Sequence, residues 1–77
     1  MFKTTIQLST IDRVKDFVSA ISDFDFTVDL LSGRYCVNGK SIMGIFSLDL
    51  ARPIELEAEV PAEFEEAFAE AVRTFED

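Results

Sequence analysis

Four groups of side chains in this sequence have types and spacings that chemistry uses. Glu63, Glu66 and Glu70 stand three and four apart, so a helix carries their carboxylates on one face. Such a face can attract a hard cation. Calcium sites, however, draw on an oxygen-rich loop that is absent here, and a solvated helix face accounts for the spacing. Glu55, Glu57 and Glu59 alternate with apolar residues and form the wet side of a strand; as an acid–base pair they would need a cleft. Cys36, the only cysteine, lies between Tyr35 and Val37. It reads as a small core or sheet residue, with a reactive thiol as the alternative. Ser41 precedes an apolar segment and on its own reads as a helix N-cap.

What is missing narrows the chemistry further. The 77 residues contain no histidine, hence no ordinary general base near neutral pH and no imidazole metal ligand. One cysteine gives neither an internal disulfide nor a zinc site of Cys/His type, and three glycines make no phosphate-cradling loop. No metal, no cofactor and no enzymatic constellation is expected. The net charge of −8, with no basic stripe, argues against nucleic acid. The acid is concentrated at one end, with nine acidic and two basic residues over 52–77, as a solubilising face would be. No apolar run approaches the roughly 18 residues of a membrane span, so no membrane partner is expected. These traits lead to a cytoplasmic, reduced protein with a single domain over 1–77.

The elements that position these groups follow from hydrophobic period. Phe2, Thr4, Ile6 and Leu8 alternate with polar residues, the pattern of a half-buried strand. Ser9 or Thr10 caps a helix over about 10–22, in which Ile11, Val14, Phe17, Val18 and Ile21 make the apolar stripe. Phe24, Phe26, Val28 and Leu30 alternate again, and Ser32-Gly33 turns the chain into a short strand, so 24–38 reads as a hairpin. Asn38-Gly39 is a second turn. Ser41–Leu50 is apolar, short and interrupted by Gly44. Ile54, Leu56, Ala58 and Val60 form the last strand. Pro61 opens a helix striped by Phe64, Ala67, Phe68, Ala71, Val72 and Phe75. The order is βαββαβα, an α+β two-layer sandwich with one face of the sheet wet.

The stretch Lys40-Ser41-Ile42-Met43-Gly44-Ile45-Phe46-Ser47-Leu48 closely resembles the signature around the regulatory serine of the histidine-containing phosphocarrier (HPr) proteins of the bacterial sugar phosphotransferase system. Ala51-Arg52 then leads into a Glu-rich strand and helix, as in that family, and the similarity runs over about 14–77. The resemblance implies an open-faced sandwich, a four-stranded antiparallel sheet with helices on one face. It makes Ser41 a regulatory phosphorylation site, and HPr kinase or a transcription regulator a partner. Counting back from Ser41, the family's phosphorylated histidine falls at Thr10, its arginine at Asp12 and its proline at Arg13. Some paralogues in Gram-positive bacteria lack the histidine, keep the serine and act only in regulation.

Three functions stay open on this reading: a regulatory protein presenting Ser41, a phosphoryl carrier, and an accessory domain with an unrelated partner. One surface is common to the first and third. A short helix turns about a third of its circumference inward. Ile45, Leu48 and Leu50 are assigned to the core, leaving Ile42, Met43 and Phe46 as an exposed partner-binding patch beside Ser41. Lys40 is expected to add attraction for a phosphate on Ser41.

Overall fold

The computed structural model describes residues 1–76. Strand β1 (Phe2–Ile6) leads into helix α1 (Ile11–Ile21), strands β2 (Val28–Ser32) and β3 (Tyr35–Asn38), helix α2 (Ile42–Phe46), strand β4 (Ile54–Ala58) and helix α3 (Glu65–Arg73). The four strands form one antiparallel sheet in the order β1-β4-β2-β3. This is the expected α+β open sandwich. The β2–β3 loop is Gly33-Arg34, with Ser32 opposite Tyr35, and Gly33 has φ 60°. Positive φ at the first loop position is what a two-residue hairpin of the type II′ class requires, and glycine meets it without steric cost.

Period 2 in the strands and 3.6 in the helices converge on one core. Ile6, Val28, Leu30, Ile54, Leu56 and Ala58 face Val14, Phe17 and Ile21 of α1 and Phe68 and Val72 of α3. Leu8, Ile45, Leu48 and Phe75 complete it. No polar or charged residue among the described ones is buried. Fold specificity therefore rests on apolar shape and backbone pairing, since no buried polar network contributes. The other sheet face carries Lys3, Thr5, Glu55, Glu57, Asp29 and Cys36 toward solvent.

Several local expectations are corrected. Phe24 and Phe26 lie in an irregular segment, and the strand begins only at Val28, which pairs with Ala58 at the end of β4. Beyond Ala58 no strand residue remains to pair with them. Ile11, placed on the apolar stripe, is 61% exposed and takes no part in the core, which α1 meets only from Val14 onward. Cys36 is a sheet residue but not a core one: it is exposed on edge strand β3. Pro61 does not open the α-helix directly. It caps a 3-10 turn, Ala62–Phe64, that precedes α3 and leaves Phe64 44% exposed.

Arg13, which lies off the apolar stripe of α1, folds back toward the chain ends. Its Nε donates to the Gln7 carbonyl at 2.9 Å and its Nη2 to the Thr74 carbonyl at 3.4 Å. The guanidinium carbon lies 5.4 Å from the centroid of the Phe75 ring. Together with the Gln7 N–H donating to the Phe75 carbonyl at 2.8 Å and the Ile6–Glu76 bridge, this ties the C-terminal segment to the loop before α1.

Candidate functional site

The turn that presents Ser41 is built from its own backbone. The Asn38 side chain accepts from the Lys40 N–H at 2.8 Å, and the Asn38 carbonyl accepts from the Ser41 N–H at 3.0 Å. An Asn side chain that closes on the backbone two residues ahead is a standard way to reverse a chain. Gly39 is buried in this turn against Val28, where an added Cβ would lie 2.9 Å from Val28 Cγ1. The turn thus packs directly on β2.

Ser41 is the N-cap of α2. Its backbone is extended (φ −100°, ψ 106°) and its Oγ accepts from the Gly44 N–H at 3.1 Å. The side chain satisfies one of the N–H groups that the start of a helix leaves free. Gly44 has a second role. A Cβ there would lie 3.2 Å from Ser41 Oγ, so the missing side chain keeps the cap uncrowded where α2 faces Val37 of β3. Replacing Ser41 with alanine is expected to cost about 1 kcal/mol through loss of the cap. Urea denaturation of the two forms measures it, and an unchanged midpoint would show that the cap contributes nothing.

The division of the apolar segment follows the expected stripe. Ile45 and Leu48 are buried, and Leu50 packs partly buried against the core. On the opposite side Met43 is 81% exposed, while Ile42 and Phe46 are exposed at 36% and 38%. Phe46 is therefore not core. Ile42, Met43 and Phe46 share one face with the capping serine at its end.

Lys40, next to Ser41, also reaches across to a second loop. Its Nζ donates to the Phe24 carbonyl, across a gap of 16 residues in sequence. One of its three ammonium donors is thus directed at backbone, and the positive charge stays beside the Ser41 turn. Sequence spacing could not reveal this, because the acceptor is a main-chain group in a different loop.

Thr10 occupies a separate turn. It is the exposed N-cap of α1 and its Oγ1 accepts from the Arg13 N–H at 3.2 Å. Asp12 lies exposed in the first turn. The nearest guanidinium in sequence, that of Arg13, is engaged by two carbonyls and the Phe75 ring, so no free cation faces Thr10 from its own helix turn. Among the described residues no three His, Cys, Asp or Glu side chains converge as a metal site would need. Among the same residues no helix is long and apolar enough to cross a membrane.

A serine cap followed by an apolar helix with one buried and one exposed face, on a β1-β4-β2-β3 antiparallel sheet, is a specific combination. The family model described as the PTS HPr component phosphorylation site matches residues 13–77. The chain belongs to the HPr family. Among solved structures, HPr-C-His from Thermoanaerobacter tengcongensis is similar, with a TM-score of 0.78 and 28% sequence identity over 96% of this chain and 89% of that one. No curated protein sequence matches this HPr-family chain. The similar structure shares the fold resemblance inferred from the sequence, and with it the four-stranded open sheet carrying three helices. HPr proteins are phosphocarriers rather than catalysts.

Proposed function

We propose that this HPr-family chain carries no phosphohistidine and serves in regulation, presenting Ser41 and the exposed face of α2 to protein partners that govern sugar uptake. The observation that carries the reading is the exposure of Met43, Ile42 and Phe46 beside a capping serine, while Ile45 and Leu48 anchor the same helix in the core. An adaptable thioether next to an aromatic ring suits a surface that must pack against a partner. The absence of histidine from the 77 residues supports the same reading, with Thr10 at the position that counting back from Ser41 gives the family's phosphoryl acceptor.

The engagement of Lys40 with the Phe24 carbonyl shapes how a phosphate on Ser41 would act. Phosphorylation adds about 1.5 to 2 negative charges at pH 7. Lys40 offsets at most one of those charges and is tethered to the Phe24 carbonyl, so the remainder is open to a cation of the partner and the modification works as a recognition mark.

The test is incubation with HPr kinase and ATP, read by mass spectrometry. One phosphate on Ser41 is the expected product, and failure to label Ser41 overturns the proposal. Met43→Asp combined with Phe46→Asp should slow that labelling at least about tenfold, as loss of interface anchors does. Both side chains are exposed, so the thermal midpoint should stay within a few degrees of the parent's. Labelling at an unchanged rate would show that the α2 face is not the docking surface.

A further inference from the structure

We propose that the cleft between the α1–β2 loop and the 3-10 turn before α3 takes up an arginine or lysine side chain from a protein partner. Phe24, Phe26, Phe64 and Pro61 form its walls, and Asp23 and Asp25 line it with them. The three rings pack on one another, with centroids 5.4 Å apart for Phe24–Phe26, 6.3 Å for Phe24–Phe64 and 6.4 Å for Phe26–Phe64. Buried Phe68 supports Phe24 and Phe26 from below at 5.3 and 5.2 Å. The rings are thus fixed in place while Phe64 stays open to solvent. Phe24 and Phe26 pack partly buried against the core and Phe64 is the exposed member of the three, so the cluster keeps an apolar mouth open at the surface, as interaction sites do.

Charge decides the occupant. Aromatic faces attract cations, and guanidinium most often. Asp23 and Asp25 are exposed, and neither forms an ion pair or side-chain hydrogen bond among the described residues. No basic side chain lines the cleft; Lys40 reaches the Phe24 carbonyl but is not part of the walls. A nucleic acid would bring phosphates against two carboxylates. The volume, about 270 Å³, falls just under the roughly 300–1,000 Å³ of pockets that enclose whole small molecules. It suits one long side chain of a larger partner. The cleft lies on a different loop and helix start from the exposed face of α2, so this inference does not depend on the regulatory reading.

Titration of the isotope-labelled chain with a doubly capped leucine–arginine–leucine peptide, followed by NMR of the amides and the phenylalanine rings, tests it. Saturable shifts centred on Phe24, Phe26 and Phe64 are expected. The same peptide with citrulline in place of arginine keeps shape and loses charge, and should bind about tenfold more weakly. Phe64→Leu keeps an apolar wall without the ring face and should weaken the arginine peptide about threefold. The pair Asp23→Asn and Asp25→Asn should weaken it about fivefold and flatten its salt dependence. Three results overturn the proposal: no saturable shift at these rings, equal binding of the citrulline peptide, or shifts spread over the glutamate face of α3 instead.

Discussion

Replacing Phe68 with alanine is expected to remove about 3–5 kcal/mol of stability, a large share of what the chain has. A domain of this length has roughly 4–12 kcal/mol in total, at about 0.05–0.15 kcal/mol per residue. Phe68 is fully buried and meets Phe2, Phe24 and Phe26 edge-on, at centroid distances of 5.1, 5.3 and 5.2 Å. Its loss leaves a cavity and also withdraws the support beneath two rings that have no strand to hold them. At about 4–8 °C per kcal/mol, the midpoint of thermal unfolding should fall by at least about 12 °C. Phe64→Ala, four residues earlier and half open to water, should cost no more than about 1.5 kcal/mol. Urea unfolding of both variants separates the two positions. A Phe68→Ala loss below about 1 kcal/mol would mean that the site collapses around the missing ring, and that the aromatic cluster is not a keystone of the fold.

With phosphoenolpyruvate and the first enzyme of the phosphotransferase system, the chain should acquire no acid-labile phosphate. Transfer to a phosphocarrier of this family forms a phosphorus–nitrogen bond on an imidazole, and the 77 residues provide none. At the turn where the resemblance places that histidine, the Thr10 hydroxyl accepts the Arg13 N–H as a helix cap. The carboxylate of Asp12 in the same turn repels a phosphoryl group. The one arginine of that turn holds the C-terminal segment instead of facing outward. Labelling from radioactive phosphoenolpyruvate, beside an authentic carrier as positive control, should differ by the full dynamic range of the assay. Stoichiometric label on any side chain would return the protein to the carriers.

Much of this was written into local pattern. The 3.6 period of Val14, Phe17 and Ile21, the alternation of Ile54, Leu56 and Ala58, and the cap at Ser41 each depend on neighbours within one turn or one strand. For that reason they could be read without the fold. The inward assignment of Ile45 and Leu48 and the outward one of Met43 and Phe46 also follow from local geometry, because a short helix has only one face to bury. The alternation of Phe24 and Phe26 shows where local pattern stops. It fixes which side chains share a side, but a strand exists only where a neighbour supplies hydrogen bonds, and β4 ends at Ala58 opposite Val28.

By itself, then, the sequence determined the element order, the core stripes, the serine cap and the absence of imidazole chemistry. Tertiary structure alone decided the sheet order, the fate of the two cations Arg13 and Lys40, and the assembly of Phe24, Phe26 and Phe64 into one open cleft. Those features join backbone carbonyls and rings far apart along the chain, from Lys40 to Phe24 and from Arg13 to Thr74. A periodicity records only which way a side chain leaves its own backbone. What it meets there is set by packing among distant segments.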